Sequence, residues 1–140
     1  MGIRAAVAGD AATLADLATQ LSYASSVEAM RLRLQAAEGA VLVAVDEEHA
    51  AVRGFVHVQR DAGLLAMPCA RLRALVVDES ARGRGIGASL LAAAEHWALQ
   101  HDLYELRVDC NVARERAHRF YLRHGYSEHK RQCVFVRKLA

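Results

Sequence analysis

Cysteine is scarce here: Cys69, Cys110 and Cys133 are odd in number, far apart and without a Cys-x-x-Cys spacing. Nothing in that pattern suits zinc or dithiol redox chemistry, so a reducing, cytoplasmic location is expected and the thiols read as small buried hydrophobes. Proline is rarer still, with Pro68 alone in a stretch that reads as a loop. No apolar run reaches the ~18 residues that cross a bilayer. Met1 to Asp10 also lacks a basic segment followed by a long apolar one, so the chain is expected neither to span a membrane nor to be secreted. A dominant charge sign is missing as well. The 18 Lys and Arg against 16 Asp and Glu leave +2, too weak a bias to argue by itself for a nucleic-acid or membrane partner. Repeats, low-complexity tracts and linkers are absent.

What is present is a compact chain of 140 residues, 54% hydrophobic and 24% charged, the size of one domain spanning 1–140. Ile3 to Ala8 predicts a short strand. Asp10 offers a helix N-cap, followed by Leu14, Leu17 and Leu21 at helical spacing. Ser25 and Glu28 have capping-box spacing before a second helix marked by Val27, Met30 and Leu34, which Gly39 can end. Ala40 to Val45 and Ala51 to Gln59 read as a hairpin around the polar turn Asp46 to Ala50, with Asp61 to Pro68 as the loop leaving it. Arg71 to Val77 predicts a strand, and a long Ala/Leu helix ends near Gln100. Tyr104 to Cys110 predicts a further strand, Arg114 to His124 a helix closed by Gly125, and Tyr126 to Leu139 one or two final strands.

The junction between Val77 and the long helix is the most informative stretch. A strand entering glycines and then a helix exposes unpaired backbone N–H groups at the positive end of the helix dipole, a ready site for phosphate. Arg82 and Arg84 add charge beside Gly83, Gly85 and Gly87. Gly83, Gly85 and Ala88 also satisfy a loose G-x-G-x-x-A dinucleotide pattern. A dinucleotide fold, however, wants this loop after its first strand, with several βαβ units behind it. A Walker loop is excluded because no Gly-Lys-Ser/Thr follows. Coenzyme A remains.

The run Leu75-Val76-Val77-Asp78-Glu79-Ser80-Ala81-Arg82-Gly83-Arg84-Gly85-Ile86-Gly87-Ala88-Ser89-Leu90-Leu91 resembles the signature segment of the GNAT N-acetyltransferases, with Arg82, Gly85 and Gly87 in its R-x-x-G-x-G/A positions. Ala117-His118-Arg119-Phe120-Tyr121-Leu122-Arg123-His124-Gly125-Tyr126 resembles the A-x-x-F-Y-x-x-x-G-F/Y segment of the same superfamily. Two motifs in the right order, separated by one helix and one strand, are far more specific than either alone. The chain departs from the pattern at Glu79, where proline is common, and at Arg114, where many members carry an asparagine; Asn111 lies three residues earlier.

The resemblance implies an α/β fold with a mixed central sheet, helices on both faces and a V-shaped acyl-CoA cleft. It implies acetyl-CoA as acyl donor and direct attack by the primary amine of a small molecule or peptide. In that reading the pantetheine arm lies along Leu75, Val76 and Val77, and the Leu75 N–H faces the thioester carbonyl as an oxyanion donor. Pyrophosphate sits on the amides of Gly83, Arg84, Gly85, Ile86, Gly87 and Ala88, aided by the charges of Arg82 and Arg84, and Asn111 is a further cofactor contact. Tyr121 protonates the departing thiolate, while Phe120 reads as core. The general base is not evident: Arg71 and Arg73 stand where some members carry a carboxylate, and His57, Glu28, Asp109 and Cys110 are open candidates. No metal is implied, and a homodimer is compatible with the reading. Two rivals stay open. One is a CoA-binding sensor without turnover; the other is a nucleic-acid-binding domain using Arg114, Arg116, Arg119 and Arg123, although no aromatic platform accompanies those arginines.

Overall fold

The computed structural model describes all 140 residues, Met1–Ala140, which divide into two compact units, Met1–Asp109 and Cys110–Ala140. The first unit runs β1 (Gly2–Ala5), a 3-10 turn (Ala8–Asp10), α1 (Ala11–Gln20), α2 (Val27–Ala36), β2 (Ala40–Asp46), β3 (Ala51–Asp61) and β4 (Cys69–Val77). A second 3-10 turn (Glu79–Ala81), α3 (Ile86–Gln100) and β5 (Leu106–Val108) complete it. The strands form one sheet in sequence order, antiparallel from β1 to β4 and parallel between β4 and β5.

Alternation along the strands splits the buried residues between two faces. Val43, Phe55 and Val76 pack against Leu14 and Leu17 of α1, joined by Met30 and Leu34 of α2. Ala44 and Val56 point the other way and are fully buried, on the side where α3 contributes Leu90, Leu91, Ala94 and Ala98. Burying a side chain such as Leu14 or Leu90 contributes about 2 kcal/mol by area. Gly54 allows α3 to approach: a Cβ there would lie 2.7 Å from the Val76 carbonyl oxygen and 3.1 Å from Leu90 Cδ1.

Two local expectations are corrected. The turn Ala8–Asp10 runs straight into α1, so the Asp10 backbone is already helical and its side chain makes no cap. Its carboxylate instead binds Arg4 Nη1 at 2.8 Å and Nη2 at 3.0 Å, and accepts the Val7 N–H at 2.8 Å. For α2 the cap is Ser26, whose hydroxyl accepts the Ala29 N–H at 3.1 Å, while Glu28 turns to Arg31.

The second unit contains α4 (Glu115–Arg123), closed by Gly125 at φ +87°. The final strands expected over Tyr126 to Leu139 do not form, and 127–140 has no regular structure. Apolar alternation is insufficient without a partner ladder for the backbone groups, and Val134, Phe135 and Val136 stay about 90% exposed. Cys69 is buried, but Cys110 is half-buried and Cys133 exposed, so only Cys69 fits the expected role as a buried hydrophobe. Phe120 is half-buried, and α4 contains no buried residue, so it is not core.

Candidate functional site

The glycine loop is open and preformed. Gly83 and Gly85 adopt φ +80° and +79°, a left-handed geometry that disfavours other residues, and a Cβ at either would meet nothing within 4 Å. Gly85 caps α3, and the first helical bond runs from the Ser89 N–H to the Gly85 carbonyl at 3.1 Å. The N–H groups of Ile86, Gly87 and Ala88 are therefore the unpaired donors of the first turn, at the positive end of a 15-residue helix. The side chain of Ile86 is buried at 3% exposure and anchors the turn, while Arg82 is half-buried and Arg84 exposed. The open space and the unpaired donors suit an anionic group such as phosphate.

The base of the loop is braced from α1. Gln20 Oε1 accepts the Glu79 N–H at 2.9 Å and Gln20 Nε2 donates to Asp78 Oδ1 at 3.4 Å. Burial pushes the Asp78 carboxyl up, but the Ser80 N–H, Gln20 and Arg53 outweigh it and hold the carboxyl below its ordinary range. Sequence reasoning missed Gln20, which lies 59 positions from its partner and carries no local signal.

Upstream of the loop, β4 bears the opening. Its antiparallel pairing with β3 jumps from His57↔Ala74 to Val58↔Leu72, leaving Arg73 as the extra residue of a β-bulge. Pairing with β5 covers only Ala70 to Leu72, opposite Leu106 to Val108. The strands thus part at the level of the bulge, and 73–77 have β3 on one side with no β5 ladder on the other. Leu75, Val76 and Val77 lie opposite Val56, Phe55 and Gly54. Val76 buries its side chain in the core, so only its backbone is available, whereas Leu75 and Val77 are half-exposed.

Charged groups cluster where the strands part. Arg71 Nε donates to Asp61 Oδ2 at 2.8 Å and Nη1 to Asp109 Oδ1 at 3.0 Å, and the Asp61 contact is the main cause that raises the Arg71 pKa. His57 is committed elsewhere, with Nε2 donating to the Glu38 carbonyl at 2.8 Å. Glu28 is paired with Arg31, and Asp109, which directly follows β5, with Arg71. The acidic hairpin tip is internally paired, Asp46 binding His49 and Arg53.

Thus the first unit brings Leu75 to Val77 and Arg82 to Ala88 onto one strand-loop-helix path. Asn111 and Tyr121 belong to the second unit. Asn111 Oδ1 accepts the Ala113 N–H at 2.9 Å, and its carbonyl accepts from the Arg114 N–H and His118 Nε2, so it shapes the entry to α4. Tyr121 stacks edgewise on Phe120 and Tyr126, with ring centroids 5.2 and 5.7 Å away. Burial, with a smaller contribution from Cys110, pushes its phenol well above the ordinary value. On α4, Arg116, Arg119 and Arg123 are exposed.

An anion cradle heading a strand-loop-helix junction, beside two parallel strands that part, is the arrangement of an acetyltransferase fold. The family model described as the acetyltransferase (GNAT) family matches residues 11–126, and the chain belongs to that family. A curated relative, aminoalkylphosphonate N-acetyltransferase of Salmonella typhimurium, is 44% identical over 57 residues, which span 41% of this chain and 37% of that protein. Among solved structures, a tetramutant protein from Bacillus halodurans superposes with a TM-score of 0.79 at 28% identity, covering 97% of this chain and 99% of the other. An aminoglycoside N-acetyltransferase in complex with CoA gives a TM-score of 0.84 at 21% identity, covering 99% and 95%; this likeness shows the fold.

Proposed function

We propose that this chain transfers acetyl from acetyl-CoA to the primary amine of a small molecule or peptide, its two units working as one domain in the cytoplasm. The observation that carries the reading is the open cradle of Gly83 to Ala88, whose unpaired N–H groups and flanking arginines suit the CoA phosphates. The family match and the acceptor named for the curated relative, an aminoalkylphosphonate, point to amine acylation.

Acetyl-CoA supplies the acyl group as an activated thioester. Backbone groups of Leu75 to Val77 hold the pantetheine arm in the manner of an added strand, and the Leu75 N–H donates to the carbonyl oxygen as negative charge develops there. The amine nitrogen bonds to the acyl carbon, the carbon–sulfur bond breaks, the amine gives its proton to solvent water and the departing thiolate gains one. Tyr121 is the donor toward that sulfur. Because its phenol lies above the ordinary value of ~10 and a thiol near ~8.5, complete transfer is uphill. The Tyr121 contribution is therefore a hydrogen bond to the departing sulfur, with solvent completing protonation. Burial raises the thiols of Cys69 and Cys110, which disfavours thiolates and accords with direct attack without a covalent intermediate.

Two measurements test this reading. A CoA-release screen over aminoglycosides, polyamines, amino acids, peptides and aminoalkylphosphonates is expected to give turnover with at least one class. Acetyl-CoA is expected to raise the melting temperature where NADH and ATP at equal concentration do not. Equal shifts from NADH would return the loop to the dinucleotide class.

A further inference from the structure

The ladder between β4 and β5 ends at Leu72 opposite Val108, and no backbone bond joins the two strands beyond it. One side-chain bond crosses that point. Arg71 Nη1 donates to Asp109 Oδ1 at 3.0 Å, although the ladder partner of Arg71 is Arg107, two residues and about 7 Å short of Asp109 along the strand. The bond is therefore a diagonal, anchored on β4 below the parting and on the chain just past β5 above it. Arg107 cannot serve as the anchor, because it carries the same charge as Arg71 and its Nε is bonded to Glu105.

An exposed ion pair is ordinarily weak, and Asp109 is 79% exposed. Arg71 is different. Its side chain is only 19% exposed, and Asp61, the last residue of β3, already holds its Nε at 2.8 Å. The guanidinium fork thus reaches Asp109 with its direction fixed and much of its side-chain entropy already lost. Arg71 and Arg107 also floor a hollow of about 310 Å³ walled by Gly63 to Met67, so hydrogen bonds rather than close packing orient the pair. We infer that Arg71 and Asp109 are a positioning pair that sets how far β5 stands from β4 where the strands part. The inference rests on the acyl-transfer reading, in which the pantetheine arm lies in that opening along Leu75 to Val77. A fixed width grips the arm, while phosphates held at the glycine loop do not sense it. The pair acts through the backbones of β4 and β5, not on the reacting atoms.

The test is calorimetric titration of the full chain with two probes, acetyl-CoA and adenosine 3′-phosphate 5′-diphosphate, the headgroup without the arm. Asp109→Ala, whose exposed position spares the fold, and Arg71→Met, its fold checked by circular dichroism, are each expected to bind acetyl-CoA about fivefold more weakly, with headgroup affinity within about twofold of wild type. The double variant should be no weaker than Arg71→Met alone, since the same bond is lost in both, and Asp109→Glu should keep part of the affinity that Asp109→Ala loses. Equal weakening of both probes would make the pair a general structural tie and overturn the inference. Unchanged acetyl-CoA affinity in Asp109→Ala, the result expected of a general base, would overturn it as well, and so would losses that add in the double variant. Failure of the wild-type chain to bind acetyl-CoA would instead refute the acyl-transfer reading, and the positioning role with it.

Discussion

Gln20, the last residue of α1, accepts the backbone N–H of Glu79 at 2.9 Å, tying the first helix to the turn that launches the glycine loop. The same carboxamide donates to Asp78, so one side chain satisfies both a backbone donor and a carboxylate. Gln20→Ala is expected to cost about 1 kcal/mol of stability, the scale of a net hydrogen bond, and to weaken acetyl-CoA binding several-fold by loosening the cradle. Gln20→Glu should do worse than its isosteric shape suggests, because the Asp78 contact turns repulsive. Thermal unfolding and calorimetry on the two variants read both effects.

Gly85→Asp is expected to weaken acetyl-CoA binding at least tenfold, about 1.4 kcal/mol, since it places a carboxylate beside the amides of Ile86 to Ala88 that we propose hold the phosphates. Gly85→Ala separates conformation from charge. Open space surrounds the new Cβ, so its cost is the left-handed backbone alone, about 1–2 kcal/mol. Calorimetric affinity, measured in variants shown to be folded, checks the pair.

Tyr121→Phe is expected to retain acetyl-CoA affinity and the edgewise packing on Phe120 and Tyr126, while kcat falls about tenfold, below the usual 10²–10⁴ for a general acid. The raised phenol pKa has a further consequence: the hydrogen-bonding form persists through alkaline pH, so Tyr121 ionisation should cause no loss of kcat up to about pH 10. A kcat within twofold of wild type, with a confirmed acceptor, would make Tyr121 a packing residue.

The hydrogen bonds from Arg4, followed by the Val7 N–H, hold the Asp10 carboxyl below its ordinary value. A depressed folded-state pKa contributes stability that is fully present above the unfolded value of ~3.9 and is lost as pH falls through the lower folded value. Asp10→Asn is accordingly expected to lower the melting temperature at pH 7, with the deficit shrinking below about pH 4. Melting curves of both proteins from pH 2 to 7 check the sign.

The cradle was legible because its cause is local. Arg82 to Gly87 is one contiguous stretch in which Gly83 and Gly85 accept positive φ and whose position at the head of an Ala/Leu helix creates the unpaired donors. The apolar spacing of Leu14 and Leu17 foretold the buried face of α1 equally well. The brace from Gln20 and the Arg71–Asp109 pair were invisible for the opposite reason, their partners standing 59 and 38 positions away. At Asp10 and Ser25 the residue types were right for caps, yet a neighbouring Arg4 and a one-residue shift to Ser26 decided where the bonds went.

Taken alone, the order of residues determined the helices, the hairpin, the phosphate-ready loop and the family motifs, since each depends on groups within a few positions of one another. Tertiary structure decided where β4 bulges, where β5 stops pairing and that 127–140 joins no sheet. A strand acquires its hydrogen bonds from another segment, so its extent and register depend on a partner that its own pattern does not specify. The pairing of Arg71 with Arg107, and the hollow they floor, has the same non-local origin.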